Sequence, residues 1–182
     1  RLKVIPAMGD LLSGEFSVQI RDVDINDLLR REPVQLSDQA IRALVERRVV
    51  LVTGSGGSIG SEICRQVLKF QPEKLVLVES AENNLFQVER EFQSLGLPTE
   101  IVPCLADVGD RERIEQVYEA HRPNVVFHAA AQKHVPMMEA NPGEAIKNNV
   151  LSTMLLAELA DEYGVDEFVL ISTDKSVNPT SI

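Results

Sequence analysis

Four glycines fall within seven residues in Thr53-Gly54-Ser55-Gly56-Gly57-Ser58-Ile59-Gly60-Ser61. This turn follows the β-branched run Val49 to Thr53 and opens a stretch whose apolar residues, Ile63, Val67 and Phe70, recur at helical spacing. A strand, a bare turn and a helix in that order restrict the chain to a βα unit with exposed turn backbone. Gly54 permits the tight turn, Gly57 lets backbone approach a pyrophosphate, and Gly60 allows close packing of helix on strand. The helix N-terminus adds free N–H groups and a partial positive charge. Thr53, Ser58 and Ile59 frame the glycines and join them as expected contacts to a dinucleotide. An ATP-type phosphate loop needs Gly-Lys-Ser/Thr, and here Ser61 and Glu62 follow Gly60. The structural alternative is a glycine-rich junction that binds nothing.

The same strand–helix alternation runs on from Arg48 and predicts five strands. They are Val49 to Thr53, Leu75 to Glu79, Ile101 to Ala106, Val125 to His128 and Phe168 to Ser172. The second crossover helix places Leu85, Val88, Phe92 and Leu95 on one face, and the third carries Ile114 and Val117. A long helix from about Gly143 to Tyr163 is expected to bury Ile146, Val150, Thr153 and Ala157. The fold class is α/β, a Rossmann-type doubly wound parallel sheet of order 3-2-1-4-5. Pro103 supports that order: proline removes a ladder donor, and strand three is an edge in this topology.

Residues 1–46 lack the alternation and read as an N-terminal connector ending in a capped helix, Ser37 to Arg47, with Ile41, Leu44 and Val45 inward. A strand is expected near Leu2 to Ile5, and helical turns at Leu11-Leu12 and Leu28-Leu29. Residues 47–182 form the dinucleotide-binding domain. Eighteen Lys and Arg against 28 Asp and Glu give a net charge of −10. That balance opposes nucleic-acid or anionic-membrane partners, and no run of Lys or Arg offsets it. Apolar runs are too short to span a bilayer, so no membrane contact is expected of this segment. Cys64 and Cys104 lack CxxC spacing and sit in apolar patterns, which suits reduced, buried thiols and a cytoplasmic setting; no metal site is expected.

Every polar cluster falls at the carboxyl end of a strand, where open α/β sheets bind ligands. Glu79 ends strand two 19 positions after Gly60 and suits a ribose 2′-hydroxyl. No Arg or Lys follows it in Ser80-Ala81-Glu82-Asn83, so NAD is favoured over NADP. A solvated strand-end carboxylate is the alternative. Asp107-Val108 closes strand three, where the carboxylate suits the adenine amino group or, alternatively, caps the next helix. Ala129, Ala130 and Ala131 leave strand four beside strand one, with side chains small enough to admit a nicotinamide ring or simply to pack. Strand five delivers Ser172-Thr173-Asp174-Lys175, a hydroxyl, an acid and a base. A solvated loop is the alternative.

Taken together, Thr-Gly-x-x-Gly-x-x-Gly, His128-Ala-Ala-Ala-Gln-Lys-His-Val135, Asn148-Asn149-Val150 and Ser172-Thr-Asp-Lys-Ser-Val-Asn-Pro-Thr180 resemble the extended short-chain dehydrogenase/reductases. Within them the chain is similar to the CapD-like polysaccharide biosynthesis proteins and nucleotide-sugar 4,6-dehydratases, over about residues 47–182. The resemblance implies internal oxidation–reduction on UDP-N-acetylglucosamine or a related UDP-sugar. Hydride is removed from C4, the ketone acidifies the C5 proton, water leaves from C6, and the hydride returns to C6. It implies that Thr173 hydrogen-bonds the sugar at O4, Asp174 protonates the departing C6 hydroxyl and Lys175 removes the C5 proton. Asn148 joins the cofactor contacts, and Lys133 and His134 meet sugar or phosphate unless they are merely solvated or packed.

The resemblance also implies a longer protein, homo-oligomeric and anchored to the inner membrane by upstream helices, with Arg31-Glu32-Pro33-Val34 in the connector. Arg1 is not a Met, and Ile182 falls just before the family's Gly-x-x-Lys, whose lysine holds the nicotinamide ribose. The 182-residue segment is therefore expected to lack the C-terminal substrate lobe, to bind cofactor weakly and to be inactive alone. Strand five is expected to present an apolar edge that another chain or the N-terminal segment covers. Two rivals remain: a nucleotide-sugar 4-epimerase, which needs no C6 acid, and a non-catalytic NAD-binding module, which needs neither acid nor base.

Overall fold

The computed structural model describes residues 3–4, 21–22 and 37–173, and the chain divides into two compact units, 1–37 and 38–182. In the first, β1 (Lys3–Val4) pairs antiparallel with β2 (Arg21–Asp22), which places a strand where the sequence suggested one. The turns expected at 11–12 and 28–29 and the connector at 31–34 lie outside the described residues.

The second unit begins with α1 (Asp38–Val45), β3 (Val49–Thr53), α2 (Ser58–Leu68), β4 (Lys74–Glu79), α3 (Glu82–Ser94), β5 (Glu100–Leu105) and α4 (Arg111–His121). It continues with β6 (Val125–His128), α5 (Val135–Ala140), α6 (Pro142–Ala145), a π-helical segment (Ile146–Leu151), α7 (Ser152–Glu162) and β7 (Glu167–Leu170). The unit starts at residue 38 and so includes α1. Val45 on α1 is fully buried, in the same apolar cluster as Val50, Val67 and Leu68.

Among the described residues this unit has five strands, all parallel, in the order β5-β4-β3-β6-β7 that the sequence predicts. Pro103 lies on the edge strand β5, opposite Leu77. Alternation along the central strands feeds two cores. Val50, Val52, Leu75 and Leu77 pack against α1, α2 and α3, while Leu51, Val76 and Val78 pack against α4 and α7. A sheet covered on both faces puts all its strand ends on one accessible rim, and that rim positions the site. At the far edge, Leu170 and Ile171 are exposed, and among the described residues β7 pairs with β6 alone.

Three expectations need correction. The long helix at 142–162 is two α-helices joined by the π-helical segment, and it buries Ala145, Ser152, Leu155, Leu156, Leu159 and Ala160. Ile146, Val150 and Ala157, expected inward, are exposed, while Thr153 is half-buried. Apolar residues surround this helix on all sides, so spacing alone selects no face, and the wider π turn shifts the phase further. Leu95 is 53% exposed because α3 ends at Ser94. The last strand runs 167–170, one residue earlier than its expected start and two short of its expected end.

Candidate functional site: a groove at the carboxyl edge of the sheet

Each of β3, β4, β5 and β6 gives its last residues, or those just after, to one groove of about 300 Å³. The glycine turn supplies Gly54 and Gly57, the end of β4 supplies Val78, Glu79 and Ser80, and the β5 exit supplies Ala106, Asp107 and Val108. The β6 exit supplies Ala129 through Gln132, while Asn84 from α3 and Asn148 from the π-helical segment complete the wall. Nine of the residues singled out in the sequence thus meet in one place: Gly54, Gly57, Glu79, Asp107, Val108, Ala129, Ala130, Ala131 and Asn148.

The turn is shaped by what its glycines touch. Gly54 has φ +64°, and a Cβ there would lie 2.8 Å from the Cα and N of Ala130. Gly60 is buried against the Gly54 carbonyl, leaving no room for a side chain. Gly57, by contrast, is exposed on the groove side, its nearest neighbour the Gly54 carbonyl. It is the N-cap of α2 and provides no side-chain cap, so the helix presents its amino end uncapped beside the groove. Ser58 and Ile59 are exposed in the first turn of α2, and the groove lining does not include them.

Glu79 is almost wholly buried and is held by three backbone donors. Oε2 accepts from Gly56 N–H at 2.9 Å, and Oε1 accepts from Ser80 and Ala81 N–H at 3.0 Å each. The carboxylate is thus a fixed negative wall at one end of the groove. Asp107 is exposed and its Oδ1 accepts from Gly109 N–H at 2.8 Å. It does not cap the following helix; Asp110 does, accepting from Arg113 N–H at 3.1 Å. The capping alternative for Asp107 is thereby overturned.

Thr53 does not open onto the groove. It is buried, and its Oγ1 lies 2.7 Å from Nδ1 of His128. His128 also reaches Thr153 Oγ1 at 2.9 Å through Nε2, and burial pushes its imidazole down to about 4. Lys133 and His134 are exposed on the segment leading to α5 and stand outside the groove lining. Thr173 is exposed three residues past β7, on the same rim; Asp174 and Lys175 lie outside the described residues. Sequence reasoning missed Ser80, Asn84, Gln132 and the partners of His128. A histidine inside an apolar strand was the available signal, since a buried ring nitrogen needs a partner.

The exposed Gly57, N-cap of α2, the backbone-held Glu79 carboxylate and the three alanines after β6 all line this groove. Fold and groove together define a Rossmann-type dinucleotide-binding domain. The chain belongs to the polysaccharide biosynthesis protein family, whose sequence profile matches residues 50–182. It is 48% identical over 180 residues to the capsular polysaccharide biosynthesis protein CapD of Staphylococcus aureus, covering 98% of this chain and 30% of CapD. It is 45% identical to the probable polysaccharide biosynthesis protein EpsC of Bacillus subtilis, covering 100% of this chain and 31% of EpsC. A Campylobacter jejuni UDP-N-acetylglucosamine 4,6-dehydratase (inverting) is 31% identical, over 76% of this chain and 40% of that enzyme. Among solved structures, Pen from Bacillus thuringiensis superposes with TM-score 0.69 at 28% identity, over 76% of this chain and 42% of Pen. A Thermus thermophilus UDP-glucose 4-epimerase complex with NAD matches with TM-score 0.57 at 28% identity, over 69% of this chain and 37% of the epimerase. The chain therefore spans less than a third of the length of CapD and EpsC. Among the described residues no helix is long and apolar enough to cross a membrane.

Proposed function

We propose that this domain binds NAD and forms the dinucleotide-binding part of a UDP-N-acetylglucosamine 4,6-dehydratase in polysaccharide biosynthesis. The observation that carries the reading is the convergence of Gly57, Glu79, Asp107 and Ala129 to Ala131 on one groove, beside the strand that leads into Thr173-Asp174-Lys175. When bound, NAD accepts hydride from the sugar and later returns it. The protein's part is to bind, orient and move protons.

The uncapped first turn of α2 meets the pyrophosphate, and Glu79 accepts from the adenosine ribose. A 2′-phosphate would meet that carboxylate directly, which supports NAD over NADP. Asp107 and Val108 flank the adenine, and the three alanines leave space for the nicotinamide. Thr173 orients the sugar O4, Asp174 delivers a proton to the C6 hydroxyl as it leaves, and Lys175 takes the C5 proton. For that last role Lys175 must lose its charge near neutral pH, which a neighbouring positive ring favours. Lys133 and His134 are accessible to the diphosphate or sugar.

The likeness to NAD-bound epimerase structures favours 4-epimerisation as the second reading. It makes no use of Asp174. The test is incubation of the protein, expressed from its complete reading frame, with UDP-N-acetylglucosamine. A 4-keto-6-deoxy sugar nucleotide is expected; unchanged substrate, or its C4 epimer, rejects dehydration.

A further inference from the structure

Three consecutive alanines have no side-chain hydrogen bonds with which to fix their own backbone, so the wall they form must be held from behind. His128, 1% exposed, leaves β6 there between two threonines. The Thr153 hydroxyl donates to the Asn149 carbonyl at 2.8 Å, so towards His128 it accepts, and Nε2 carries the ring proton. Nδ1 is then a lone pair and accepts from the Thr53 hydroxyl. Thr53 Oγ1 in turn accepts from the amide of Ala130 at 3.4 Å.

The other arm closes on the same wall. The Asn149 side chain donates to the Gln132 carbonyl at 2.8 Å and accepts from the Gln132 amide at 2.9 Å. Ala130 is thus tied to the imidazole through Thr53, and Gln132 through Asn149, whose side chain holds Gln132 and whose backbone carbonyl accepts from Thr153. The backbone carbonyl of His128 also accepts from Ile171 N–H at 3.0 Å, which ties the exit of β7, two residues before Thr173, to the same residue. The Phe168 ring, 6.3 Å from the imidazole centre, covers it from β7.

We propose that His128, held as the neutral Nε2–H tautomer between Thr53 and Thr153, is a positioning residue that fixes the Ala129–Gln132 wall for the dinucleotide. The inference rests on the NAD reading above and goes beyond it in assigning work to groups that touch neither cofactor nor sugar. Its test uses Thr153→Val and Thr153→Ser in the protein expressed from its complete reading frame. NAD affinity is measured by titration calorimetry on the folded variants, and the His128 ring proton is located by nitrogen NMR. Wild type and Thr153→Ser are expected to carry the proton on Nε2 and to bind NAD alike. Thr153→Val is expected to bind about tenfold more weakly, a change of about 1.4 kcal/mol. Should Thr153→Val not fold, Thr53→Val and Thr53→Ser cut and restore the other arm with the same expectation. A valine variant with wild-type affinity, or a ring proton on Nδ1, overturns the positioning role alone. Wild type that binds no NAD overturns the functional reading, and the positioning role with it.

Discussion

Replacing Gly54 by alanine separates two demands that the turn makes at once. The residue sits at φ +64°, and its Cβ would meet Ala130 Cα and N at 2.8 Å and the Ala129 carbonyl at 2.9 Å. All three atoms are backbone, so relief requires the glycine turn and the β6 exit to move apart. The left-handed conformation costs an alanine about 1–2 kcal/mol. Crowding of this kind adds about 1–3 kcal/mol. Gly96 supplies the control, because it has φ +61° and nothing within 4 Å of an added Cβ. Gly96→Ala thus measures the backbone cost by itself. Urea unfolding of the two variants and wild type, followed by circular dichroism, should place Gly54→Ala about 1–3 kcal/mol below Gly96→Ala. NAD titration should find Gly96→Ala unchanged and Gly54→Ala weakened at least about tenfold, the equivalent of about 1.4 kcal/mol. Equal stability losses, or wild-type affinity in Gly54→Ala, would refute the reasoning that the turn and the alanine wall form one surface.

Two further outcomes follow from buried polar groups. Glu79→Gln keeps the side chain's size but sets an NH2 against backbone donors that now meet carboxylate oxygens. It should lower unfolding free energy by about 1–2 kcal/mol and reduce the preference for NAD over NADP; an unchanged melting midpoint and cofactor preference would count against the carboxylate's role. His128 titrates at about 4 in the folded chain against its ordinary 6.5, so as pH falls the unfolded chain is protonated first. Wild type should therefore lose stability relative to His128→Gln between pH 6.5 and 4, by about 3 kcal/mol at the lower end. A pH-independent difference between the two proteins would show that the imidazole takes up its proton equally in the folded and unfolded chains, contrary to its burial as a neutral ring.

Strand order was legible because each strand is a short β-branched run and each crossover is helical. Pro103 even marked its edge, since only an edge strand can spare the donor. The phase of the 142–162 helix was not legible, because Ile146, Val150, Leu151 and Met154 are as apolar as Leu155, Leu156 and Leu159 yet point to solvent. Which stripe faces the sheet depends on the π-helical segment, and no residue-level propensity announces that turn. At the site, Gly54, Glu79, Asp107 and the alanines could be placed from sequence because topology alone sends every strand end to the same rim. The bonds behind that rim were hidden by separation along the chain: Thr53 lies 75 residues from His128, and Thr153 lies 25 from it. Asp107 and Asp110 show a finer ambiguity. Both are acidic residues ahead of α4, and only the geometry assigns the cap to Asp110 and leaves Asp107 in the groove.

The most direct test of the account follows the hydride itself. UDP-N-acetylglucosamine carrying deuterium at C4 is turned over by the protein expressed from its complete reading frame, and the product is read by NMR. Internal return of the hydride predicts a 4-keto-6-deoxy sugar with the deuterium at C6. Deuterium retained at C4 of an epimer, or lost from the sugar altogether, would contradict it.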